Sequence, residues 1–180
     1  MLIETIIAWT TWAAPLVAAD LETARQARAG HPEIIASPRA MPRPSDAWVR
    51  AISSSIATRP LPMPPRREAI HWLVWAFHES AFRDDVRSSD GLDSVCTMQV
   101  RVFAWSPWSA EEIVRDPAKC VQVAREAMAR SWTCDPLFPM ACYAAGAAPA
   151  GRAAGRQIDR AREAEVEQNF RALSARPDAP

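Results

Sequence analysis

The chain has 180 residues, 49 % of them apolar, enough to build one substantial core. Lys and Arg together number 21, as do Asp and Glu, so no net field draws the chain onto nucleic acid or an anionic membrane surface, and nucleic acid is not an expected partner. With only five glycines and no Gly-x-Ser-x-Gly pattern, phosphate-cradling loops and a nucleophile elbow are disfavoured.

Residues 5–19 are almost uncharged and end in Val17-Ala18-Ala19. They fit either a signal-peptide core with a small-residue cleavage site or an apolar helix packed on the domain, with Trp9 and Trp12 partly buried. Glu4 and the lack of Lys or Arg before Arg25 weigh against a signal peptide; Pro15 interrupts the stretch, and about fifteen residues cannot span a bilayer untilted. A helix-favouring run over 20–29 stops at Gly30 and Pro32, and a second helix is expected over 46–56 with Ser45 or Asp46 as cap. Prolines 38, 42, 44, 60, 62, 64 and 65 mark extended connectors. The expected organisation is therefore an N-terminal helical and proline-rich extension (1–65), a core domain (66–146) and a C-terminal helix packing on that core (147–180).

The helix expected over 66–79 carries Ile70, Leu73, Val74 and Phe77 at i, i+3, i+4 and i+7, with Trp72 and Trp75 widening its apolar face. A helix this apolar belongs at the centre of a domain and holds what stands at its end rigidly. Glu79 stands there. Residues 84–100, rich in Asp, Ser and Gly, read as a loop or small hairpin. Ser109-Ala110-Glu111-Glu112 reads as a capping box. Asp116-Pro117 opens the next helix, to about residue 132, and further helices are expected over 136–145 and 155–175. The fold class is all-α.

Eight tryptophans exceed what a core of this size needs; Trp72, Trp75, Trp105 and Trp132 are expected to fill it, and indoles also supply stacking faces for sugars. Cys96, Cys120, Cys134 and Cys142 would allow two disulfides in one of three connectivities in an exported chain. Their spacing matches no zinc pattern. His71 and His78 share a helix face but stand two turns apart, about 10.5 Å, too far to bind one ion together. No metal and no cofactor is expected.

A carboxylic acid that keeps its proton can donate to a departing glycosidic oxygen, and partial burial among Trp and Phe side chains would help Glu79 do so. Three segments follow in order: His78-Glu79-Ser80-Ala81-Phe82, Cys96-Thr97-Met98-Gln99-Val100 and Cys142-Tyr143-Ala144-Ala145-Gly146. As a set they resemble the lytic transglycosylase branch of the lysozyme-like superfamily, whose members show Glu-Ser before an aromatic, then Gly-Leu-Met-Gln, then Ala-Tyr-Asn-x-Gly. The resemblance implies a lysozyme-like, mainly helical domain that cleaves the β-1,4 bond of peptidoglycan glycan strands, with Glu79 as acid and then base. It also implies that Ser80 supports the site, that Met98 and Gln99 line the saccharide cleft, and that Tyr143 bonds near Glu79 or the substrate. In that family the sugar's own C6 hydroxyl attacks, so one carboxylate suffices.

The chain departs from the pattern at Cys96-Thr97, which replace Gly-Leu, at Asp93 and Ser94 just before them, and at Ala144, which replaces Asn. Losing that glycine could close backbone approach to a sugar or tilt the loop. Two alternatives stay open. A hydrolytic lysozyme would draw a second carboxylate from the 84–93 loop, with Asp90 and Asp93 as candidates beside Asp84 and Asp85. A non-catalytic wall-binding module would keep the fold with a drifted cleft. Each setting that fits, periplasmic, secreted or phage-associated, offers envelope or phage assembly partners.

Overall fold

A computed structural model describes residues 2–28, 42–87, 94–101 and 106–180. These form seven helices and one two-stranded sheet: α1 (Leu2–Arg28), α2 (Asp46–Thr58), α3 (Pro65–Ser80), β1 (Ser94–Val95), β2 (Val100–Arg101), α4 (Ala110–Arg115), α5 (Pro117–Cys134), α6 (Ala141–Ala145) and α7 (Pro149–Ser174). The protein is mainly α-helical, as its patterning implies.

Helix α3 is the axis of the fold. Pro65 occupies its first turn, where a missing N–H costs nothing, and every residue from Glu68 to Phe77 is buried. Ile70, Leu73, Val74, Trp72 and Trp75 have no exposed surface, as expected of a stripe widened by two indoles. Around α3 pack α1, α2 and α7. The apolar stretch over 5–19 and the helical run that follows it are one helix, not two pieces divided at Pro15. Pro15 leaves the carbonyl of Thr11 without its usual donor, but Thr11 lies on the exposed side of α1, where water can serve that carbonyl. On the opposite side Trp9, Ala13, Val17 and Leu21 join the same core as α2 and α3. Among the described residues no helix is long and apolar enough to cross a membrane.

Local signals set the other helix ends. Ser45 caps α2 by accepting from the Trp48 N–H, and the capping box of Ser109 and Glu112 is complete at α4. Asp116 caps α5 from the Ala118 N–H with Pro117 in the first turn. The helix expected over 136–145 is shorter: residues 136–140 form turns and only Ala141–Ala145 is helical. Two prolines in the sequence Pro136-Leu137-Phe138-Pro139 account for this, since Pro139 in a helix would take the donor due to Asp135. In contrast α7 begins six residues earlier than expected, at Pro149.

A buried charge network ties three helices. Glu68, with no exposed surface, pairs with Arg125 of α5 and accepts from the Leu61 N–H (2.8 Å) and Trp72 Nε1 (3.3 Å). Arg125 also donates to Ser55 Oγ at 2.6 Å and lies over the Trp72 ring. Such a pair is tolerable in a core because each charge is both matched and hydrogen-bonded. The cysteines form Cys96–Cys120 and Cys134–Cys142, which settles the connectivity left open by their spacing. Disulfides of this kind persist in oxidising compartments.

Candidate functional site

Glu79 lies in the last turn of α3, which closes at Ala81: this residue adopts the left-handed conformation (φ 51°) and returns its N–H to the Phe77 carbonyl at 2.8 Å. Phe82 follows with φ 63°, so two consecutive left-handed residues swing the chain sharply away. The Phe82 ring, buried, packs edge-on against Phe77 and Trp48 and fixes that turn.

The three sequence segments meet. Ser80 Oγ donates to the Thr97 carbonyl at 2.9 Å and so fastens the end of α3 to the 96–99 turn. Tyr143 donates its hydroxyl proton to the Met98 carbonyl at 2.6 Å, joining α6 to the same turn. The Tyr143 ring stands edge-on to Trp75, with centroids 5.6 Å apart. Burial pushes the Tyr143 phenol well above its ordinary range, and the charge of Glu79 adds to this while Arg162 opposes it. Tyr143 is thus a neutral donor within electrostatic reach of Glu79, although its hydrogen bond goes to Met98.

The 96–99 turn departs from the expected motif in a way its geometry explains. Cys96 has φ 63°, the region glycine enters without strain, and it stands where the motif it was compared with in sequence has glycine. The bond to Cys120 anchors this strained residue to α5. Gln99 is also left-handed (φ 47°), and its amide donates to the Cys96 carbonyl at 3.1 Å and to the Val86 carbonyl at 3.4 Å. Met98 is fully buried. Its side chain therefore fills the core here rather than lining a cleft, and it is its carbonyl that takes part in the site. Of the carboxylates in the following loop, Asp84 accepts from Thr97 Oγ1 at 2.5 Å and holds the turn. Asp90 and Asp93 lie outside the described residues.

One residue that sequence reasoning missed dominates the site. Arg162, on α7, places Nη1 2.6 Å from Glu79 Oε1, and its guanidinium lies over the Trp75 ring at 4.0 Å. Both partners stay reachable from solvent, with 20 % of the Glu79 side chain and 15 % of the Arg162 side chain exposed. The apolar surroundings expected for Glu79 are thus replaced on one side by a cation. Arg162 belongs to a ladder between α3 and α7: Arg67 and His71 with Glu163 (3.1 and 2.8 Å), His78 with Glu165, and Glu79 with Arg162. The face shared by His71 and His78 is the face that α7 covers.

Helix α6 is held close to α7 by two small residues. A Cβ on Gly155 would stand 2.0 Å from the Ala141 carbonyl oxygen, and one on Gly151 would stand 2.2 Å from that of Ala145. Together with Cys134–Cys142 this close approach positions Tyr143. Beside the ladder, a cavity of about 330 Å³ is bordered by His71, Asp159, Phe138 and Leu137. Burial raises the Asp159 carboxyl above its ordinary range; the Met140 N–H it accepts acts against this, while Glu163 adds to it.

No protein-family model matches this sequence, and no curated protein or solved structure matches it either.

Proposed function

We propose that the protein is a lysozyme-like glycosidase of the bacterial wall, acting as a lytic transglycosylase on the β-1,4 bonds of peptidoglycan strands with Glu79 as its single acid and base. The observation that carries this reading is the meeting of the three motif segments at the end of α3, through Ser80 to Thr97 and Tyr143 to Met98. A carboxyl held at a rigid helix end can give its proton to the departing glycosidic oxygen and then accept one from the attacking C6 hydroxyl. Ser80 and the neutral Tyr143 phenol tie the 96–99 turn to the end of α3 and to α6. Disulfide bonding suits an oxidising setting, and the proposed substrate narrows it to the periplasm, the exterior or a phage particle.

One observation favours the second reading, a wall-binding module without chemistry: Glu79 is engaged by Arg162. The guanidinium occupies an oxygen of the carboxyl that would meet the glycosidic oxygen, so catalysis requires it to withdraw. Mass spectrometry of peptidoglycan digested by the purified protein separates the readings. Anhydro-muramyl ends support transglycosylation, reducing ends support hydrolysis through a second carboxylate, and the absence of products supports binding alone.

A further inference from the structure

We propose that the cavity bordered by His71 and Asp159 binds a free α-amino acid with an apolar side chain, its ammonium group on Asp159 and its carboxylate at Arg160. The inference rests on this cavity and stands apart from the glycan reading of Glu79.

The cavity, of about 330 Å³, lies among α3, the end of α5, the 136–140 turn and α7. A water molecule takes about 30 Å³ of liquid, and small-molecule sites begin at about 300 Å³, so the space suits a small organic molecule. Its polar groups are more telling. Among the described residues, eight buried side-chain nitrogen or oxygen atoms have no hydrogen-bond partner within the protein. Four of them, Arg67 Nε, His71 Nε2, Trp132 Nε1 and Asp159 Oδ1, belong to residues that border this one cavity. Buried polar groups are otherwise nearly always paired, so their concentration here marks a site for a guest that supplies both donors and acceptors.

The character of the guest follows from these groups. Asp159 accepts the Met140 N–H through Oδ2 at 3.2 Å, which leaves Oδ1 as an open acceptor. His71 Nδ1 stands 2.8 Å from a Glu163 carboxylate oxygen, which can only accept, so in the neutral ring Nε2 is a second acceptor. Arg67 Nε and Trp132 Nε1 are donors. Charge is arranged to match. Asp159 is 2 % exposed, and burial raises its carboxyl above the ordinary range, as for an anion short of a counter-charge. Arg160, bordering the same cavity, is exposed and lies over the Phe138 ring at 4.6 Å, and among the described residues no carboxylate pairs with it. Arg156, on the same ring, is already bound to Asp135 at 2.7 Å. A wholly anionic guest would meet Asp159, and a wholly cationic one would meet Arg67 and Arg160. An α-amino acid carries both charges on one carbon and serves both ends. Leu137, 80 % exposed, borders the cavity with Phe138 and Met140 and gives an apolar side chain a surface whose covering is favourable.

The test is a calorimetric titration of the full chain with L- and D-leucine, N-acetyl-leucine, which lacks the ammonium, and leucinamide, which lacks the carboxylate. One leucine enantiomer at least is expected to bind saturably, and each blocked form about tenfold more weakly or worse. Asp159→Asn should abolish the preference for leucine over N-acetyl-leucine, and Arg160→Gln the preference over leucinamide, thermal melts confirming that both variants are folded. Should either fail to fold, the blocked ligands on wild type decide alone. A cavity that holds only solvent gives no saturable binding of either enantiomer, and that result overturns the proposal. So does equal affinity for leucine and N-acetyl-leucine, or a preference for leucine that survives in folded Asp159→Asn. Wall digestion requires Glu79 and this titration does not, so failure of either reading leaves the other standing.

Discussion

Tyr143 and Met98, 45 residues apart, are joined by a 2.6 Å hydrogen bond from the phenol to a backbone carbonyl. This single bond closes the 96–99 turn against α6 and brings the Tyr143 ring edge to Trp75, beneath the guanidinium that meets Glu79. Tyr143→Phe keeps the ring and leaves the carbonyl unpaired. It should cost about 1–2 kcal/mol of stability and reduce wall digestion more than it raises the melting sensitivity alone would explain. Chemical denaturation and initial digestion rates check this; an unchanged rate in a destabilised variant would make the bond purely structural.

Cys96 holds a backbone conformation suited to glycine, and its bond to Cys120 closes a long loop. Cys120→Ser should therefore cost about 3–4 kcal/mol, from loop closure alone. Adding Cys96→Gly to that variant should restore about 1 kcal/mol, because the strain is no longer imposed on a side chain. Urea melts of the two variants decide; further loss in the double variant would show that the Cys96 side chain contributes through packing instead.

Gly155→Ala places a methyl group against the backbone of α6, 2.0 Å from an oxygen that cannot rotate away. Overpacking of this kind costs about 1–3 kcal/mol, and here it should also displace Tyr143. Accordingly the amide resonances of α6 and of the 96–99 turn should move together. Shifts confined to α7 would contradict the proposed role of the close contact.

These relationships show what could be read in advance. The stripe of α3, the caps at Ser45, Ser109 and Asp116, and the all-α class follow from periodicity and from donors left open at helix ends, both of which are local. Glu79, Ser80 and Tyr143 were legible as members of ordered motifs. Arg162 was not, because α7 reads as a solvated helix of alternating charge, and nothing in its own sequence says that Arg162 faces Glu79 from 83 residues away. The disulfide pairing was equally hidden, since spacing alone leaves three connectivities. Pro15 misled for a simpler reason: a proline inside a helix is costly by propensity, yet packing of Trp9, Val17 and Leu21 on either side of it holds α1 in one piece.

Stability should depend on pH through two adjacent turns of α7 with opposite signs. Burial, against the hydrogen bond from Met140, raises Asp159, which is surrounded by His71, Glu163 and Arg162. Its folded form binds a proton more readily than the unfolded chain, so stability falls as pH rises from about 4 toward the raised folded value. Burial also pushes Glu163 up, but the hydrogen bond from His71 and the charges of His71 and Arg67 outweigh it and hold the carboxyl below its ordinary range. Its contribution is complete above about pH 4.3 and is lost as pH falls through the lowered folded value. Thermal melts of wild type and Asp159→Asn across acid pH should thus diverge upward from about pH 4 in favour of the variant. Parallel curves would mean that Asp159 titrates as it does in the unfolded chain.

Whether Glu79 performs chemistry is read from muropeptide mass spectrometry of wall digested by wild type and by Glu79→Gln. Wild type should release anhydro-muramyl ends, and Glu79→Gln, isosteric but without a transferable proton, should release at least about a hundredfold fewer. Equal product yields from the two proteins would contradict the assignment of Glu79 as the acid.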